Sequence, residues 1–195
     1  MSKVIWVGGP HGVGKSSVLK LASAQNPPLR YLYLGRLFFE NAEKIGYKWE
    51  DLSDEKNLLI IEGIVTDILK KKFGKLDYLV DGHFAINFGG ITYPGYHTQN
   101  LKGIFSTSGI KKGLINLTAS PEVIIQRRNK SKKRFKAYLT KGDYDLIRME
   151  IQESKKYFEY FYNSLNPNVS ILELDTERLS LEEVAEKIGE FYHGL

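Results

Sequence analysis

This 195-residue sequence predicts an α/β fold, a five-stranded parallel sheet flanked by helices in three layers with a small basic lid, and three observations carry that prediction. The first is Gly9-Pro10-His11-Gly12-Val13-Gly14-Lys15-Ser16, which fits the phosphate-binding loop pattern G-x-x-x-x-G-K-[ST]. The second is its setting: an apolar run at residues 4–7 precedes it, and Ser17-Val18-Leu19 opens a helix-forming stretch after it. The third is that further apolar runs at 30–34, 78–80, 113–117 and 169–174 alternate with helical patterns. Such alternation builds a parallel sheet covered on both faces.

The elements have legible boundaries. Ser53 reads as the cap of a helix whose first turn holds Asp54 and Glu55 and whose last turn holds Lys70, Lys71 and Lys72. Both charge groups suit the helix dipole, Leu58, Ile61, Val65 and Ile68 recur at helical spacing, and Gly74 ends the helix. Residues 87–113, with Gly89-Gly90, Pro94-Gly95, Gly103 and Gly109, have the least regular pattern and read as a functional or mobile loop with at most short elements. Ser120-Pro121 is a cap followed by proline at the first helical position, and Val123, Ile124 and Ile125 continue inward. A long helix is expected from near Asp143 to Ser164, with Ile147, Ile151, Phe158 and Phe161 on its inner side. Ser180 and Glu183 form a capping box ahead of Val184, Ile188 and Phe191. No repeat, low-complexity tract or linker divides the chain, so one domain over residues 1–195 is expected.

Composition narrows the function classes. At 42% hydrophobic and 26% charged residues the chain reads as globular. Its longest apolar run, 58–65, is broken by Glu62 and Gly63 and falls short of the ~20 residues of a membrane span. With no cysteine, disulfides, thiolate metal sites and thiol catalysis are excluded, and a cytoplasmic location is expected. The net charge of +5 suggests an anionic partner. Arg127, Arg128, Lys130, Lys132, Lys133, Arg134 and Lys136 concentrate much of that charge in one segment.

The loop motif assigns chemistry to its residues. Lys15 reaches the β- and γ-phosphates, the Ser16 hydroxyl is a ligand of Mg²⁺, and Gly9, Gly12, Val13, Gly14 and Ser17 complete the ATP-binding set. His11 reads as a wall of the loop. The carboxylate that Mg²⁺ needs at a strand end is best supplied by Asp81, with Asp175 the alternative. A guanine-specific GTPase needs Asn-Lys-x-Asp, whereas the nearest string is Asn129-Lys130-Ser131-Lys132, and a large motor or AAA-type ATPase needs more chain. A small phosphotransferase remains, with the basic segment near 127–144 as a lid that closes over the phosphates.

Several strings point to one family. They are Gly8-Gly9-Pro10-His11-Gly12-Val13-Gly14-Lys15-Ser16, Leu34-Gly35 leading into a helix that ends at Lys44-Ile45-Gly46-Tyr47, Val80-Asp81-Gly82-His83, Tyr93-Pro94-Gly95, and the strand and helix that run to Gln126-Arg127. In this order they resemble the nucleoside monophosphate kinases of the P-loop class, closest to archaeal-type adenylate kinases. The resemblance implies the reaction ATP + AMP ⇌ 2 ADP with Mg²⁺. It implies that Asp81 belongs to the magnesium water shell, that Arg127 and Arg134 act with Lys15 on ATP and the transferred phosphate, and that Gly35, Arg36, Glu40 and His83 face the acceptor. Arg36 stands where that family usually has an acidic residue.

Other readings stay open. Another nucleotide, a nucleoside or a metabolite hydroxyl is an alternative acceptor. A hydroxyl acceptor wants a carboxylate base, and Asp81 is the one the sequence places. An ATP-switched protein that contacts RNA or the ribosome through the basic segment is a further alternative.

Overall fold

The apolar runs become strands because the sheet buries both of their faces. In chain order the elements are β1 (Ser2–Gly8), α1 (Lys15–Gln25), β2 (Leu29–Tyr33), α2 (Leu34–Lys44), α3 (Glu55–Lys72), β3 (Asp77–Asp81), β4 (Ala85–Phe88) and β5 (Ile91–Pro94). They continue with α4 (Thr98–Phe105), β6 (Ile110–Thr118), α5 (Pro121–Lys130), α6 (Tyr144–Leu165), β7 (Val169–Asp175) and α7 (Leu181–Gly194). The structure, a computed structural model, describes all residues except Trp49, Gly89, Gly90, Ser108, 131–143 and 166–168.

The main sheet has five parallel strands in the order β2-β3-β1-β6-β7. Val4 and Trp6 of β1 point into one apolar layer with α2, α3, α4 and the C-terminal half of α6. Ile5 and Val7 point into the other with α1, α7 and Ile124 of α5. All four are fully buried, which is why β1 reads as an uninterrupted apolar run rather than an alternating one. Parallel strands put their C-terminal ends on one edge, where register pairs Val7 with Asp81, Gly8 with Asn116 and Thr118 with Asp175. The chain leaves β1 toward β2 and β3 and later crosses to β6 and β7. That reversal opens the crevice in which folds of this kind bind ligands.

Several expectations shift in detail. Asp54, not Ser53, is the N-cap of α3, its carboxylate accepting from the Lys56 amide at 2.8 Å, and Gly74 adopts the positive φ of 90° expected beyond the helix end. The second strand ends at Tyr33, so Leu34 becomes the buried first residue of α2. The expected loop at 87–113 holds more order than its glycines suggest. β4 and β5 form an antiparallel hairpin, and α4 follows it. Buried Glu62 of α3 anchors α4: its carboxylate accepts from the His97 amide at 2.7 Å, His97 Nδ1 at 2.6 Å and Asn100 Nδ2 at 2.8 Å. Among the described residues no helix is long and apolar enough to cross a membrane.

Candidate functional site

β1 ends at Gly8, and the chain turns with Gly9, Gly12 and Gly14 at φ of 141°, 85° and 101°, a region that a Cβ disfavours. The turn delivers the chain into α1 with Gly14 at the N-cap, no side chain capping the helix and no acidic residue in its first turn. By contrast, Asp54 closes α3 and the Ser180–Glu183 capping box closes α7. The first amides of α1 and the positive end of its dipole are left for an anion.

Lys15 is 6% exposed, and its Nζ donates to the carbonyls of Gly9 at 2.6 Å and Pro10 at 3.1 Å. Burial lowers its pKa to about 8, with Arg128 acting in the same direction and Asp81 and Glu150 opposing. The loop therefore holds its cation folded inward at the anion site.

Ser16 is exposed, and its Oγ donates to Asp81 Oδ2 at 2.7 Å. Asp81 ends β3 and is 2% exposed, and the Tyr31 hydroxyl donates to the same oxygen at 2.7 Å. Burial and this hydrogen bond hold the Tyr31 phenol well above its usual pKa. A hydroxyl and a carboxylate side by side are hard oxygen donors that fit Mg²⁺, an ion that usually completes its shell with phosphate oxygens and waters. Among the described residues no group of three or more His, Cys, Asp or Glu is arranged to hold a metal ion. Asp175 is engaged in the turn after β7, accepting from the Glu177 amide at 2.9 Å and pairing with Arg178 at 3.2 Å.

The basic end of α5 turns toward the loop. Arg127 Nη1 donates to the Val13 carbonyl at 2.9 Å and to Thr176 Oγ1 at 2.8 Å, while Nη2 donates to the Thr176 carbonyl at 2.6 Å. Arg128 donates to the His11 carbonyl through Nε at 3.0 Å and Nη2 at 2.7 Å, and Nη2 also pairs with Glu150 Oε2 at 2.6 Å. These arginines hold carbonyls of the loop in place. Arg134 and the rest of the expected lid, 131–143, lie outside the described residues.

On the side where the acceptor is expected, the His83 and His11 rings pack with centroids 4.3 Å apart and planes tilted by 40°, and His83 Nδ1 lies 3.4 Å from the Gly9 carbonyl. Burial, then the positive charges of Lys15 and Arg128, push the His11 pKa down to about 3. His83 is pushed well below its usual value by burial and by Lys15, so both imidazoles are neutral near pH 7. Gly95 lets the hairpin pass this ring, since a Cβ there would lie 2.1 Å from the His83 carbonyl oxygen. Gly35 is packed under the Tyr33 hydroxyl, and Arg36 is 76% exposed and paired with Glu40 at 2.6 Å.

The structure thus brings Lys15, Ser16, Asp81, Arg127 and His83 to one edge, with Gly35, Arg36 and Glu40 at the start of the neighbouring α2. Sequence reasoning missed Tyr31, Thr176 and Glu150, and took Arg128 only as part of the basic segment. Thr176 stands just past a strand end and Arg128 beside Arg127, positions that invite attention. Glu150, in contrast, reaches Arg128 only through the packing of α6 on α5.

Comparison with known proteins agrees with this geometry. No curated protein matches the sequence. Among solved structures, a shikimate kinase from Acinetobacter baumannii in complex with shikimate superposes with a TM-score of 0.63 at 17% identity, over 100% of this chain and 94% of that one. A tunicamycin resistance protein from Deinococcus radiodurans gives 0.61 at 14% identity, over 98% and 95%. A sugar kinase from Janibacter sp. HTCC2649 gives 0.57 at 14% identity, over 96% and 92%. At these identities the likeness is one of fold. A protein family described as an AAA domain matches residues 8–142, so that description applies to a chain of this size and is not restricted to the large ATPases set aside above. With its phosphate-binding loop inside the matched span and a P-loop kinase fold around it, the chain belongs to this AAA-domain family.

Proposed function

We propose that the protein is an ATP-dependent, Mg²⁺-dependent phosphotransferase acting on a small acceptor. The observation that carries this reading is the 2.7 Å hydrogen bond between Ser16 and Asp81 beside buried Lys15, at the uncapped start of α1. In this reading Lys15 neutralises the β- and γ-phosphates, and the amides from Gly9 to Ser17 cradle them. Ser16 would ligate Mg²⁺ and Asp81 would hold its water shell, and the ion when bound would neutralise charge on the transferring phosphoryl group. Arg127 fixes the loop, and Arg134 keeps its expected role as a lid arginine. The chain acts as one domain over 1–195, with a lid near 127–144, in the cytoplasm.

AMP is the acceptor that the adenylate kinase resemblance implies, and it is supported by the position of Gly35, Arg36 and Glu40 beside the strand that carries Asp81. A metabolite acceptor has equal support, since a shikimate kinase and a sugar kinase share the fold. Calorimetry with ATP, with and without Mg²⁺, is the first test, followed by coupled ADP release over a panel of monophosphates, nucleosides, shikimate and sugars. Mg·ATP binding that is lost in Lys15→Ala is expected. A wild-type protein that ignores Mg·ATP yet binds RNA with a steep salt dependence would replace this reading with the RNA-contact one.

A further inference from the structure

Glu150 is an ionisable group at this edge to which the reading above gives no task. It stands on α6 with Oε2 fixed by Arg128 at 2.6 Å, the two side chains being 10% and 9% exposed. Arg128 is itself held by the His11 carbonyl, so the carboxylate is anchored to the phosphate-binding loop. The other oxygen, Oε1, is buried and has no hydrogen-bond partner among the described residues. An acceptor atom left this way costs free energy until something donates to it.

Glu150 also lines a cavity with Pro10 and His11 of the loop and Ala85 and Thr92 of the hairpin. Its volume of about 10 Å³ is near that of one water or one hydroxyl group.

We propose that Glu150 Oε1 receives the hydroxyl of the phosphate acceptor, so that the substrate is a small polar alcohol and not a monophosphate. This rests on the kinase reading. A hydroxyl brings the donor that Oε1 lacks. A phosphate would instead set its own negative charge against the Glu150 carboxylate. In the step this implies, the acceptor oxygen bonds to the γ-phosphorus while the bond from that phosphorus to the β–γ bridging oxygen breaks. ADP leaves with the electron pair, and the hydroxyl proton passes to Glu150 Oε1 and then to water. Arg128 holds the base in place during the exchange.

The test compares wild type with Glu150→Gln, whose amide oxygen still accepts from Arg128, and Glu150→Asp. Three quantities are read: ATP affinity by calorimetry, acceptor-free ATP hydrolysis with water in the acceptor position, and transfer to shikimate, gluconate, glucose and uridine against AMP and UMP. Glu150→Gln is expected to keep the ATP Kd within about twofold while ADP release falls by about 100-fold, with partial recovery in Glu150→Asp. ADP release at the wild-type rate in Glu150→Gln would reduce Glu150 to a brace and overturn the proposal. Turnover with AMP or UMP and none with an alcohol or water would overturn it too, as would a wild type that binds ATP and turns over nothing. Absence of Mg·ATP binding in the wild type is a separate result, seen by calorimetry alone, and sinks the kinase reading with it.

Discussion

Arg127 Nη1 donates to the carbonyl of Val13 at 2.9 Å, so the arginine expected to act on ATP is tied to the glycine loop itself. The same guanidinium holds Thr176 beyond β7, joining two strand ends through one side chain. Arg127→Ala leaves these groups without their charged donor and is expected to cost about 2 kcal/mol in urea unfolding, with weaker ATP binding alongside. Lysine cannot span both partners, so Arg127→Lys should recover little of either.

On the proposed reading, Lys15 is the residue on which phosphate chemistry depends most. Lys15→Met should reduce turnover far beyond tenfold, or ~1.4 kcal/mol in the barrier, while the fold persists. Its pKa of about 8 in the fold lies below the ordinary 10.5, so between these values the unfolded chain binds more protons than the folded one. The stability of the ligand-free wild type therefore gains a rising component from pH 8 to pH 10, and Lys15→Met should lose it. Thermal melts across that range read the difference.

Asp81 touches Ser16 and Tyr31 through one oxygen, and an amide oxygen at that place can accept from both. Asp81→Asn should therefore keep the fold and weaken the response to Mg²⁺ by about 10- to 100-fold, as loss of an outer partner of a bound metal typically does. A Mg²⁺ titration of activity checks this. Tyr31→Phe should shift the same curve by only a few-fold.

The packed pair of histidines carries a linked prediction. The folded pKa of His11, about 3, lies below the unfolded 6.5, so the stability that its neutral form supports is present above pH 6.5 and is lost as pH falls toward 3. Melting temperature should drop between pH 7 and pH 5 in the wild type. The drop should shrink in His11→Gln, which cannot take up that proton.

Much of this was legible because it is local. The glycine loop, the strand before it and the Ser180–Glu183 capping box depend on neighbours a few residues away. The apolar runs announced the parallel strands because both sheet faces are covered. Asp81 was readable as a carboxylate at a strand end. The rest is made by distant pairing. Glu62 meets His97 across a separation of 35 residues, and that contact orders a helix in a segment whose glycines suggest a loop. Arg128 and Glu150 are 22 apart and meet only because α5 and α6 pack together. The hairpin was hidden for a different reason, since strands as short as Ala85–Phe88 and Ile91–Pro94 hold too few residues to show a period.

Among the described residues that hairpin forms a two-stranded sheet of its own and no rung of the five-stranded one. On the proposed reading, the wall beside the acceptor and the residues beneath the phosphates are therefore separable by inheritance. Substitutions in the hairpin can redraw what the cavity admits while leaving β1, β3 and the glycine loop untouched. A lineage can in this way exchange substrates without relearning how to hold a triphosphate. Gly95 marks the limit of that freedom, because any side chain there presses on the His83 backbone and through it on the loop.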